Sequence, residues 1–199
     1  MNLRLGKITL SLSYPLVGIM TAVLLLDTSM NMLICFAAAV MHECGHLAAL
    51  WHYGTPPEAI RLTLFHIAIV DSKKHLHPFS HELVIVLAGV FINFTAAIGG
   101  FILYQVTQQP LWQTFSCAHL TLGAFNSLPA ESLDGGQALM LLLTRRFSPD
   151  TAERLLTVIS VLILIPTACL GFYILLLTKY HFTLLLCAMY LTAVLLLKK

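Results

Sequence analysis

Residues 31–52 decide the fold: NMLICFAAAVMHECGHLAALWH is an apolar run of membrane length that carries His42, Glu43 and His46. About 20 mostly apolar residues are enough for one helix to cross a bilayer. Ionisable side chains are costly at that depth, so they are functional candidates by default. Residues four apart share one face of a helix, so both imidazoles can bind a single metal ion. Glu43 then lies where it can take a proton from an attacking water.

The composition is that of a membrane protein. The 199 residues are 58% hydrophobic and 10% charged, with a mean hydropathy of +0.86, whereas a soluble domain is about 25% charged. The formal net charge is +2 and the basic residues are scattered, which excludes a nucleic-acid-binding surface. The five cysteines lie in apolar segments and indicate no disulfide framework. We therefore predict a protein of the lipid bilayer with no nucleic-acid partner.

The apolar segments predict an all-α polytopic membrane protein with about six transmembrane helices. The predicted spans are residues 8–26, 31–52, 82–105, 111–144, 152–178 and 180–197. The first span lacks a small-residue cleavage site, so we predict a retained helix and not a signal peptide. The fourth span contains Asn126-Ser127-Leu128-Pro129 and then Asp134-Gly135-Gly136. This pattern predicts a helix broken at membrane depth.

The loop between the second and third spans and the basic residues complete this topology. Residues 61–70 alternate in part and are rich in β-branched and aromatic side chains, which predicts a short β-strand or hairpin at the cytoplasmic face. With a cytoplasmic N-terminus and six spans, ten of the eleven basic residues lie inside and only Lys179 lies outside. The positive-inside rule then predicts cytoplasmic N- and C-termini in a multi-pass protein of the cell membrane.

A third metal ligand is expected because a catalytic zinc site usually has three protein ligands and leaves one position for water. Asp134 is the best candidate, since it follows the predicted break in the fourth span. Gly135 and Gly136 would let its helix approach the second span closely. The alternative for Asp134 is a helix N-cap, a position that aspartate favours whatever the function.

The order of these motifs resembles the site-2 protease family of intramembrane zinc metalloproteases, in particular its bacterial branch typified by the stage IV sporulation protease. An HExxH motif is followed two spans later by Asn-x-x-Pro-x-x-x-Leu-Asp-Gly-Gly, which here runs from Asn126 to Gly136. Residues 88–93, AGVFIN, are similar to the family's Gly-Pro-x-x-Asn helix, with Val90 in place of proline. The second motif departs at Glu131-Ser132, where an apolar residue and a proline are common.

The resemblance implies a site within the bilayer near the cytoplasm. It implies Zn²⁺ bound by His42, His46 and Asp134, with Glu43 as the general base. It also implies that Asn126, Pro129 and Asn93 place the substrate. The implied function is an endopeptidase that cuts in or near the transmembrane segment of a membrane-tethered regulatory protein, such as an anti-sigma or pro-sigma factor. We expect a single membrane-embedded domain over residues 1–199, with a catalytic core at about 31–145 and a C-terminal helical pair at about 152–197.

Other interpretations stay open at this point. A metal transporter would also place histidine and aspartate side chains in the membrane, and a catalytically silent scaffold could hold membrane partners with the same fold. His119 lies inside the fourth predicted span, where a hydrogen-bonded packing role is expected before a role in a water path. The histidines around the loop at 66–81 match no tight metal motif and are expected to be interfacial or solvated.

Overall fold

The computed structural model describes residues 2–5, 8–12, 30–55, 59–62, 67–70 and 78–178, together with residues 18, 21, 189 and 192. The strands in this part of the chain are β1 (Asn2–Leu5), β2 (Ile8–Leu12), β3 (Ala59–Leu62) and β4 (Ile67–Val70). The helices are α1 (Asn31–His52), α2 (Phe79–Thr107), α3 (Pro110–Asn126), α4 (Asp134–Leu143) and α5 (Pro149–Thr178).

The four strands form one mixed sheet in the order β1-β2-β3-β4. β1 and β2 are antiparallel, β2 and β3 are parallel, and β3 and β4 are antiparallel. The parallel pairing sets Leu10 opposite Ile60. The sequence of β2, Ile-Thr-Leu-Ser-Leu, alternates apolar and polar residues at each step. Strict alternation of this kind is typical of a strand.

The predicted fold class, an all-α protein of six spans with a lone strand or hairpin, is wrong. The predicted first span, 8–26, begins as β2, and the sheet has four strands. Within the described ranges, three helices are long and apolar enough to cross a membrane, namely α1, α2 and the stretch Pro149–Leu177 of α5. The predicted fourth span is two shorter helices, α3 with 17 residues and α4 with 10, whereas about 20 are needed. The predicted sixth span, 180–197, lies outside the described residues.

The chain divides into two compact units, residues 1–123 and 124–199. In the first unit, α1 and α2 touch through their backbones. A methyl group on Gly45 would lie 2.8 Å from the carbonyl oxygen of Ala88 and 3.0 Å from the Cα of Gly89. α2 and α3 are also close, because the Ser116 hydroxyl donates to the carbonyl of Ala97 at 2.7 Å. Glycine and serine thus permit close helix packing, as small residues do in membranes.

The second unit is built around residues 127–133, which are not helical and separate α3 from α4. The loop wraps closely over the start of α4, since a methyl group on Gly136 would collide with the carbonyl of Ala130. The backbone N–H of Glu131 donates to the Ser160 hydroxyl at 2.9 Å, and that hydroxyl donates to the carbonyl of Leu156 at 2.8 Å. A buried apolar cluster completes the unit: Ala130, Leu133 and Leu164.

Candidate metal centre

Two imidazoles converge on the buried face of α1. His42 and His46 are one helical turn apart, and their Nε2 atoms lie 3.2 Å from each other. Their side chains are 5% and 8% exposed. The other buried residues of α1 are spaced on the same face: Ala38, Gly45 and Leu50. The face that packs against α2 therefore also carries both ring nitrogens.

The Nδ1 atom of each imidazole is hydrogen-bonded to a residue of α2. The Nδ1–H of His46 donates to the carbonyl of Ile85 at 2.7 Å, which leaves the lone pair of His46 on Nε2. The Nδ1 of His42 lies 3.0 Å from the amide nitrogen of Asn93. Histidines that bind metals almost always have a hydrogen-bond partner on the second ring nitrogen, because that partner fixes the ring orientation.

Gly89 brings the backbone of α2 against both rings. A methyl group at this position would overlap the Nε2 of His46 and would lie 2.7 Å from the Cε1 of His42. Alanine is among the smallest side chains, so only glycine fits here without moving an imidazole. The motif AGVFIN includes Gly89, but its packing role against the two rings was not predicted.

The arrangement fits a zinc ion. Zinc binds imidazole nitrogen at about 2.0–2.1 Å in tetrahedral geometry, so two bound nitrogens lie about 3.3 Å apart. The two Nε2 atoms are at 3.2 Å. Neutral imidazole is also among the ligands that zinc prefers. The distance and the donor type therefore both suit a metal held by α1.

The remaining predicted site residues are distributed over both units. Glu43 follows His42 on α1 and is half-buried. Asp134 is the first residue of α4 and is half-buried; Leu133 occupies the N-cap position, so aspartate is not the cap. Asn126 ends α3 and Pro129 lies in the loop that follows. The roles predicted for these residues as base, ligand and substrate contacts stay predictions.

The structure joins Asn93 and His119 to the histidine pair, which the sequence analysis did not foresee. Both side chains are 0% exposed. The Nδ1 of His119 lies 2.9 Å from the amide oxygen of Asn93, while the amide nitrogen of Asn93 faces His42. The available signal was a strongly polar side chain in the middle of each of two apolar helices, since buried polar groups need partners.

Two curated proteins are similar in sequence to this chain. No protein-family model matches it. It is 32% identical over 121 residues to a zinc metalloprotease of Methanocaldococcus jannaschii, a match that covers 58% of this chain and 34% of that protein. It is 26% identical over 145 residues to the stage IV sporulation protein FB of Bacillus subtilis, covering 71% of this chain and 50% of that protein. The chain therefore spans about a third and a half of the lengths of these curated relatives.

The fold matches a solved structure, the site-2 protease from Methanocaldococcus jannaschii. The TM-score is 0.65 at 24% sequence identity, and the match covers 96% of this chain and 91% of that chain. The apolar helices support a membrane protein, and the sequence is similar to a zinc metalloprotease over part of that protein's length. The two relatives support a resemblance to the site-2 protease family, and the solved structure shows that the fold is shared. The resemblance carried by the sequence motifs is thereby confirmed.

Proposed function

We propose that the chain is an intramembrane zinc endopeptidase that hydrolyses a peptide bond in or near a transmembrane segment of another membrane protein. One observation carries the proposal. α1 is apolar and long enough to cross a membrane, and on it the buried Nε2 atoms of His42 and His46 lie 3.2 Å apart. The other nitrogen of each ring is hydrogen-bonded to α2. Two imidazoles in a bilayer are too costly to be there for packing alone.

His42, His46 and Asp134 would hold the zinc ion. The first two supply neutral imidazole nitrogens from α1, and Asp134 supplies a carboxylate oxygen from the start of α4. Two histidines and one carboxylate are an established ligand set for catalytic zinc, and they leave one position open. The assignment of Asp134 rests on its place in the Leu-Asp-Gly-Gly motif and on this chemistry.

When bound, zinc would lower the pKa of a water ligand to about 7 and would stabilise negative charge on the scissile carbonyl oxygen. Glu43 acts as the general base: its carboxylate takes the proton from the attacking water. The same carboxyl group then delivers that proton to the leaving amine, so that Glu43 ends in its starting state. Its position next to a ligand on α1 suits this task, because the helix fixes its distance from the metal.

The substrate must present an extended backbone, since the amides of a helix are hydrogen-bonded and shielded. Among the described strands, β4 pairs only with β3, so its outer edge can take up an extended peptide by strand addition. Asn126 and Pro129 lie where α3 ends and would place the substrate near the metal. An exposed backbone amide held at two points is what hydrolysis requires.

The biological setting is proposed by analogy with the family that the chain resembles. The substrate class would be membrane-tethered regulatory proteins, such as anti-sigma or pro-sigma factors, cut by regulated intramembrane proteolysis. The excess of basic residues at 145–154 and at the chain end supports a cytoplasmic C-terminus and a site near the cytoplasmic face.

The test begins with the zinc content of the detergent-purified protein. We expect about one zinc per chain in the wild type, and a sharp loss in His46→Ala and in Asp134→Ala, because each removes one ligand. Cys44→Ala is the matched control: this exposed residue lies on α1 between the two histidines and should keep the metal. A folded wild type without zinc would overturn the metalloprotease proposal and favour a silent scaffold.

A second measurement separates a protease from a metal transporter. Glu43→Gln should retain zinc but lose cleavage of a membrane-tethered reporter in reconstituted vesicles, because glutamine cannot accept the proton. Zinc uptake by vesicles that is carried equally well by wild type and Glu43→Gln, without reporter cleavage, would favour transport.

A further inference from the structure

Four buried side chains form one directed line of hydrogen bonds across α1, α2 and α3. Its members, in order, are His119, Asn93, His42 and His46, and it ends at the carbonyl of Ile85. A carbonyl oxygen only accepts, so His46 carries its proton on Nδ1 and a lone pair on Nε2. With the amide nitrogen of Asn93 facing it, the Nδ1 of His42 accepts, and the proton of a neutral His42 ring lies on Nε2, the atom that faces His46.

The orientation of the Asn93 amide determines the far end of the line. With its nitrogen turned to His42, Asn93 offers its oxygen to His119, at 2.9 Å from Nδ1. His119 must therefore carry its proton on Nδ1. Its Nε2 is buried and has no hydrogen-bond partner among the described residues.

A metal ion bound by the two histidines would exchange the donor and acceptor roles along this line of hydrogen bonds. His42 can bind a metal through Nε2 only when that atom has a lone pair, so its proton must lie on Nδ1. Asn93 must then turn its oxygen to His42 and its nitrogen to His119. His119 must in turn accept at Nδ1 and carry its own proton on Nε2. Each ring keeps one proton throughout, so no net proton is gained or lost.

We propose that Asn93 and His119 are positioning residues of the metal centre. The Asn93 amide has one oxygen and one nitrogen, so it favours arrangements in which only one of His42 and His119 carries its ring proton on Nδ1. This inference rests on the zinc site proposed above. The metal-loaded tautomer of His42 is stabilised only when Asn93 presents its oxygen and His119 accepts the amide N–H. His119 thus acts on metal affinity through Asn93, without touching the metal.

Variants at Asn93 test the acceptor role. Asn93→Leu removes the group that accepts from Nδ1 of His42, and zinc affinity should fall about 10- to 100-fold, as it does when such partners of ligating histidines are lost. Asn93→Asp presents an oxygen to both rings and should keep an affinity within about threefold of wild type. Affinity would be measured by competition with a zinc chelator in detergent micelles, with thermal unfolding as the check that each variant folds.

Variants at His119 test the coupling. His119→Phe should weaken zinc binding, whereas His119→Asn should restore most of it, because an amide placed near the old Nδ1 can accept from Asn93. Ser116→Ala is the matched control on α3. It removes the hydrogen bond to Ala97, one turn away, and leaves the line intact. A loss of affinity equal to that of His119→Phe in this control would show a packing effect and overturn the proposal.

Nitrogen NMR of ¹⁵N-histidine-labelled protein provides a readout that a merely structural role does not change. On addition of zinc, the ring proton of His119 should move from Nδ1 to Nε2 in the wild type and should stay in place in Asn93→Leu. Zinc binding by the wild type with no change in the His119 tautomer would overturn the coupling alone. A wild type that binds no zinc would overturn the metal site and this inference together.

Discussion

Replacement of Gly89 by alanine is the most direct test of how the metal centre is packed. The added methyl group would lie 2.7 Å from Cε1 and 2.9 Å from Nδ1 of His42, and it would overlap Nε2 of His46. Non-bonded carbon atoms are in contact at about 3.5–4.0 Å, so the His42 ring must retreat by about 1 Å. Metal–ligand distances tolerate only about 0.2 Å. A displacement of this size removes His42 as a ligand.

We therefore expect Gly89→Ala to weaken zinc binding about 100-fold, which corresponds to about 2.7 kcal/mol. The assay is competition with a chelator on the purified protein, with thermal unfolding measured alongside. Gly99→Ala is the control on the same helix, since a methyl group there meets no atom within 4 Å. That variant should bind zinc normally and gain about 0.5–1 kcal/mol of helix stability. Zinc affinity within twofold of wild type in Gly89→Ala would refute the reasoning.

Three further predictions concern the second unit and the sheet. Ser160→Ala should lower the free energy of unfolding by about 1–3 kcal/mol, because the N–H of Glu131 loses its buried acceptor. Gly136→Ala should destabilise by about 1–3 kcal/mol or more, because its methyl group collides with the carbonyl of Ala130. Ala68→Pro and Ile69→Pro in β4 should differ in reporter cleavage. Neighbouring N–H groups point to opposite edges of a strand, so only one of the two prolines removes an N–H from the outer edge, and that variant should cleave less.

Each of these predictions has a control and a contradicting result. Thr157→Ala removes an exposed hydroxyl on α5 that bonds only within its own helix, and its effect on unfolding should stay below about 0.5 kcal/mol. A Ser160→Ala variant as stable as Thr157→Ala would contradict the buried bond. Gly99→Ala is again the control variant, here for Gly136→Ala. Cleavage that survives both prolines in β4 would contradict strand addition.

The sequence predicted the paired histidines because their spacing depends only on helix geometry. Residues four apart lie on one face of any α-helix, and in the structure the Nε2 atoms of His42 and His46 are 3.2 Å apart. The interruption between α3 and α4 was also predictable, since the proline at position 129 opposes a continuous helix. These features follow from local chemistry, which a single sequence contains.

The errors arose where hydropathy and local pattern disagree or where partners are distant in sequence. The first span was predicted from the length of the apolar run at 8–26, although Ile8–Leu12, which forms β2, alternates apolar and polar residues as a strand does. His119 and Asn93 are 26 residues apart, and Asn93 and His42 are 51 apart. No spacing rule connects such residues, because their meeting depends on how α1, α2 and α3 pack.

The contact of α1 and α2 through Gly45 and Gly89 links metal occupancy to helix association. The two proposed nitrogen ligands belong to α1, while the groups that hydrogen-bond to them belong to α2. A cation that binds only the docked pair favours docking, by about 1.4 kcal/mol for each tenfold excess over its dissociation constant. In a harsh detergent, zinc would then be lost when α1 and α2 separate, before either helix unwinds. Excess zinc during extraction would stabilise the docked pair.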